Sequence, residues 1–198
     1  MGETIIDPRR DLETIRALME RARYYRHLPP QPPLLAGLLA LGGAAWTHHR
    51  IAAGASEESV TELGLIWSGI FVVSLVTQIA LGYRTAKKAG SDFWSPLAAE
   101  IVHALWPPFL VALSFTAILI RNQTLELIAP LWILCYGIGA VAAGAYARPA
   151  VRVLGISFLL AGLIDLFRPF PSAVAIGATF GVFHLIYGLT LFRHVARD

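Results

Sequence analysis

At 198 residues, 56% of them hydrophobic and only 15% charged, this chain departs from a soluble domain of its length, which carries about 25% charge. A single water-facing core cannot absorb that apolar surplus without leaving large exposed patches, so the composition excludes an ordinary soluble enzyme and points to a protein surrounded by lipid. The formal net charge of +3 is small, and the single cysteine, Cys135, excludes an intramolecular disulfide framework and leaves the redox compartment undecided.

The first 30 residues are polar and charged, unlike the apolar core of a secretory signal; the first membrane span is expected to act as an uncleaved anchor. Residues 8–27 read as an amphipathic helix on the cytoplasmic side. Asp7 suits its N-cap and Pro8 its first turn. Leu12, Ile15, Met19 and Ala22 recur at helical spacing on one face, against Arg9, Arg10, Arg16, Arg21, Arg23 and Arg26 interspersed with Asp11, Glu13 and Glu20. Such a helix can lie on anionic headgroups, pair with a copy of itself or a partner protein, or pack under a bundle. Its acidic content weakens a purely lipid-binding role, and the lack of base-stacking aromatics argues against nucleic acid. The run Pro29-Pro30-Gln31-Pro32-Pro33 then predicts a stiff, extended linker, so residues 1–32 form the N-terminal unit and 33–198 the membrane unit.

Six apolar runs follow, near 33–50, 62–82, 96–120, 127–147, 151–168 and 172–192. Crossing a hydrocarbon core of roughly 30 Å takes about 20 helical residues. The second, third, fourth and sixth runs meet that easily. The first ends in His48, His49 and Arg50, and the fifth is short between Pro149 and Pro169. The expected fold is therefore all-α, a polytopic bundle of six spans, with five as the fallback. No inverted repeat of the kind found in secondary transporters is visible, and no loop is long enough to form a catalytic domain.

Basic residues set the direction. With the N-terminus inside, every one of the 16 Lys and Arg residues except Arg50, Arg121 and Arg168 falls on the inner side, a bias that recurs at each loop. Trp67 and Trp132 then lie near the outer interface, and Tyr83, Trp94 and Tyr146 near the inner one. Both termini are expected in the cytoplasm.

Ionisable residues inside spans are expensive and suggest function. Glu100 and His103 are three apart on one face of the third span, with Pro107 and Pro108 expected to kink the helix and free carbonyls. In the sixth span Gly177, Gly181, His184 and Gly188 fall on one stripe, which predicts close helix packing through the glycines and a protein-facing His184. His103 lies about 10 Å and His184 about 12 Å from the inner surface at 1.5 Å per residue, so the two histidines and Glu100 share a level, with Gln78 and Tyr187 at comparable depth. Three functional readings compete. Carboxylate and imidazole on adjacent turns suit a transition metal; paired histidines on separate spans suit haem; the same set suits a proton or ligand site. The structural alternative is that the histidines bond neighbouring carbonyls while Glu100 reaches the inner interface. Asp165, at the outer end of the fifth span, is expected to pair with Arg168 or water. Cys135 reads as a packing residue, and adjacent His48 and His49 do not share a helix face.

The stretch Thr14-Ile15-Arg16-Ala17-Leu18-Met19-Glu20-Arg21, with Tyr24-Tyr25, resembles the opening of an uncharacterised bacterial multi-pass membrane family. His103-Ala104-Leu105-Trp106-Pro107-Pro108 and Phe180-Gly181-Val182-Phe183-His184-Leu185-Ile186-Tyr187-Gly188 are similar to that family too. The resemblance spans nearly the whole chain and implies a bacterial inner-membrane protein with no assigned activity; the proline linker departs from it, where Ser and Gly are usual. Nothing matches a phosphate loop, a nucleophile elbow or a zinc-protease helix. The leading expectation is a non-enzymatic regulatory or sensory component, or an accessory subunit of a membrane assembly. The alternatives are a haem- or metal-binding redox protein using Glu100, His103 and His184, and a small transporter or proton-coupled channel.

Overall fold

The computed structural model describes residues 29–54 and 57–195; the amphipathic helix expected over 8–27 lies outside them. Among the described residues the secondary structure is helical throughout. Helix α1 spans Gln31–Ala52, α2 Glu57–Lys88, α3 Pro96–Arg121, α4 Ile128–Ala143 after a 3-10 turn at Leu125–Leu127, and α5 Pro149–Phe167. The last helix, α6, runs as α-helix over Ser172–Ile176, passes through a π-helical segment at Gly177–Phe183, and continues as α-helix over His184–Val195. Five helices are long and apolar enough to cross a membrane: α2 from Thr61, α3, α4 with its 3-10 turn, α5, and α6 to Arg193. The short fifth run meets the requirement. The first does not, because α1 opens on Gln-Pro-Pro and closes on Thr-His-His-Arg.

Local chemistry explains the helix ends. The proline linker is shorter than the sequence suggests, since α1 begins at Gln31 and takes Pro32 and Pro33 into its first turn. First-turn amides have no helical acceptor, so proline loses nothing there. Proline again opens α3 and α5, at Pro96 and Pro149, and the Ser95 hydroxyl caps α3 by accepting from Ala98 N at 3.2 Å. Gly90 ends the α2 segment with φ 66, and Gln123 takes φ 58 just beyond α3, the left-handed conformation that reverses a chain after a helix. Asp165 is buried near the end of α5 and accepts from Phe170 N at 2.9 Å. Its partner is the backbone of the turn into α6 rather than Arg168.

Small residues set which helices touch. A Cβ on Gly155 would stand 2.5 Å from Val141 N, and one on Gly162 2.8 Å from Leu134, so α4 and α5 are in close contact along their length. Gly139 brings α4 against Leu105 and Pro108 of α3. Helix α1 lies antiparallel along α6: Leu34 meets Gly188, Leu41 meets Gly181, and Ala44 meets Gly177. The core proper is Ile133, Leu154, Phe158 and Ala175, packed by Tyr136, Phe180, Phe183 and Tyr187. Much of the remaining apolar surface is open, with Leu65, Leu113 and Phe167 exposed by 70, 62 and 80%. That is far more than a water-soluble monomer leaves uncovered.

A side-chain hydrogen bond closes each of the first two hairpins, α1–α2 and α3–α4. Trp67 Nε1 on α2 donates to Thr47 Oγ1 on α1 at 3.1 Å, and Trp132 Nε1 on α4 donates to Thr116 Oγ1 on α3 at 2.9 Å. In each case a tryptophan satisfies its one polar atom on the neighbouring helix. Arg50 and Glu62 add an ion pair at 2.6 Å where α1 turns into α2.

Candidate functional site

Where α4, α5 and α6 converge, an aromatic box encloses one imidazole. Phe158 of α5 is fully buried. Tyr136 of α4 stands 4.5 Å from it between ring centroids, and Phe180 of α6 stands 5.0 Å from it edge-on. Such contacts are favourable when edge meets face. The His184 ring stacks on Phe180 at 6.1 Å and 12°, and meets the Phe158 ring at 5.5 Å and 83°. Its Nε2 shares a 2.8 Å hydrogen bond with the Tyr136 hydroxyl.

The other imidazole nitrogen sets the chemical problem. His184 Nδ1 is buried and makes no hydrogen bond, although the carbonyls of Thr179 and Phe180 stand near the ring. A neutral imidazole carries one donor and one acceptor. If Tyr136 donates to Nε2, Nδ1–H points its proton toward the carbonyls of Thr179 and Phe180, outside good hydrogen-bond geometry; if Nε2–H donates to Tyr136, the Nδ1 lone pair and the tyrosine proton are both left over. The second arrangement leaves buried polar atoms unpaired, a state that costs about 1–3 kcal/mol, so the first is favoured.

His184 follows directly on the π-helical segment. Bonding from residue i+5 back to i widens the turn and shifts the angular position of everything after it. The glycines at 177, 181 and 188 face α1, whereas His184 leaves that stripe and enters the box formed with α4 and α5. Thr179, buried inside the segment, bonds back to Ala175 O at 2.7 Å. π-Helical turns of this kind are rare and frequently occur at functional sites.

The other residues singled out from sequence lie elsewhere. Glu100 and His103 are exposed on the outer side of α3, with no hydrogen bond or ion pair among the described residues. Gln78 is half-buried on α2, and Tyr187 is half-buried against the core beneath the box. Shared depth is therefore not shared location. Among the described residues no group of three or more His, Cys, Asp or Glu side chains is gathered to hold a metal ion, so Glu100, His103 and His184 do not form one coordination sphere within a single chain. Tyr136 was not anticipated. Its signal was a tyrosine one turn beyond Trp132 and beside Gly137, a polar atom in an apolar span that required a partner.

Comparison with known proteins adds no relative: no family model, no curated protein and no solved structure matches this chain.

Proposed function

We propose that this chain is a multi-pass protein of the bacterial inner membrane, acting as a non-enzymatic accessory or regulatory component of a larger membrane assembly. The observation that carries the reading is the outward direction of Glu100 and His103 on α3. A carboxylate and an imidazole turned toward hydrocarbon are costly, and such residues in spans characteristically face protein or water. Among the described residues neither is covered, and the reading assigns their cover to another protein.

Six spans with both ends in the cytoplasm belong to the same reading. Support for α1 as the sixth span comes from its antiparallel register on α6, which sets Leu34–Ala44 at the level of Gly188–Gly177, and for the orientation from the positive-inside bias of the loops. In this reading the amphipathic helix expected from sequence over residues 8–27, outside the described residues, would supply a cytoplasmic handle for a partner. Extraction of native membranes into polymer-bounded lipid discs, followed by mass measurement of particles containing the chain, tests the reading. Particles heavier than one copy are expected; a lone chain in every particle would sink it.

A second reading is favoured by His184. A buried imidazole bonded to Tyr136 directly after a π-helical turn gives a transporter or sensor role a physical locus. Proteoliposomes with a pH step across the membrane test it: flux lost in His184→Phe supports a proton path, and no flux in the parent protein removes it.

A further inference from the structure

Helix α3 carries more than two stray polar residues. Glu100, His103, Pro107, Leu110, Ser114 and Ala117 follow one another at alternating spacings of three and four, and each of them is exposed. That spacing is the seam of a left-handed helix pair. Its composition also differs from what flanks it. Val102, Trp106, Val111, Leu113, Phe115 and Ile118 are large, apolar and exposed, as lipid-facing positions are, whereas the seam is polar at one end and small at the other. Small and polar residues are the ones that membrane helices present to each other.

The prolines strengthen the polar end. Both sit inside the helix, and a proline nitrogen has no hydrogen to give the carbonyl four residues earlier. The carbonyls of His103 and Ala104 therefore lose their helical donors. Helix α2 does not shield this face: it meets α3 through the edge-on Phe71–Phe109 contact, 5.7 Å between centroids, and Phe109 is off the seam.

We propose that this seam is a self-association surface whose occupant is a second copy of the chain, with the two α3 helices parallel about a two-fold axis along the membrane normal. The argument for a second copy is charge complementarity. An isologous contact pairs residue i with j and j with i. Glu100 and His103 differ in height by about 4.5 Å at 1.5 Å per residue, within reach of two facing side chains. The carboxylate of each copy then accepts from the imidazole of the other, and the pair is satisfied twice. Toward the far end, Ser114 and Ala117 allow the two backbones to approach. The inference rests on the membrane-assembly reading above and deepens it by naming the partner.

The test uses the full chain with Cys135→Ala in lipid nanodiscs large enough for two copies, carrying single cysteines and an oxidative crosslinker. Ser114→Cys and Ala117→Cys are expected to give a disulfide-linked dimer, and Leu75→Cys on α2 is not. Glu100→Ala and His103→Ala should each weaken dimerisation about tenfold, since each removes both copies of an intramembrane hydrogen bond. The exchange Glu100→His/His103→Glu should restore it, because the isologous pairing survives the swap. The cysteine pattern is read without altering Glu100 or His103, so a poorly folding charge variant does not decide the outcome. Equal crosslinking at Leu75, or failure of the exchange to restore dimers, overturns the proposal. If particles from native membranes hold one copy of the chain with a different protein against Ser114, the second copy is excluded while the assembly reading stands. One copy alone in both preparations ends both.

Discussion

Helices α2 and α5 are equally apolar, with mean hydropathies of 1.9 and 2.0 over their richest stretches, yet none of that stretch is buried in α2 and 28% is buried in α5. The same contrast separates α3, at 6%, from α4 and α6, each at 39%. Hydropathy thus says which helices belong in lipid and nothing about which helices belong together. Packing follows the small residues. Gly137, Gly155 and Gly162 each have a neighbour within about 3 Å of where a Cβ would stand, whereas Gly64 and Gly69 on α2 face open space. Lipid tails are as apolar as leucine, so apolar burial does not drive helices together there; close backbone approach and hydrogen bonds do.

The sharpest way to break this comparison is to add the same side chain to both regions. Gly155→Leu drives a side chain into the α4 backbone at Val141 and should cost roughly 3 kcal/mol, while Gly69→Leu should change stability by less than about 0.5 kcal/mol. Helicity followed through an SDS titration in mixed micelles measures both, and equal losses would remove the distinction between packed and open helices. Next in size is the box. Tyr136→Phe strips His184 of its remaining hydrogen bond and should cost about 1–3 kcal/mol, whereas Tyr136→Phe combined with His184→Phe should recover much of that loss, since removing both polar partners leaves nothing unsatisfied. Strict additivity of the two changes in the same titration would show that the residues do not act as a pair. Smaller effects should come from the interhelical bonds of the two tryptophans. Thr47→Val and Thr116→Val are expected to cost about 0.6 kcal/mol each, with a shift in tryptophan emission. The α1–α2 hairpin is also held where Gly43 meets Ile70 and Trp67 and by the Arg50–Glu62 pair, so a silent Thr47→Val would mean that these contacts carry the hairpin. The smallest change is Arg50→Ala: the ion pair with Glu62 is more than a third exposed on both sides, and about 0.5 kcal/mol is expected, shrinking as salt rises.

What could be read from the residues divides along the same line. Apolar runs carry their own signature, so the five helices able to cross a membrane are visible as runs, and so is α1, though proline opens it earlier than expected, at Gln31. The direction a helix face takes is set by its neighbours and leaves no trace in its own sequence. Glu100 and His103 therefore matched His184 in depth and still faced the other way. The π-helical segment escaped for a related reason: Gly177–Phe183 has the composition of any tightly packed helix, and the extra residue per turn arises from bonding geometry. A period of 3.6 places His184 on the glycine stripe, whereas in the structure it meets Tyr136 while Gly188, one turn on, still faces α1. The tyrosine itself is legible as a polar atom in an apolar span that needs a partner.

The antiparallel seating of α1 on α6 has a consequence for biogenesis. These two helices stand at opposite extremes of the described chain, so the groove that receives α1 does not exist until the last helix has been synthesised and inserted. Helix α1 is also the one whose composition falls short of what a membrane crossing asks, and it waits longest for its partner. Contacts between segments so distant in sequence form late, so α1 is without its α6 groove through most of synthesis. A chain arrested before Ser172 should leave α1 accessible to aqueous thiol reagents, and completion of α6 should protect it.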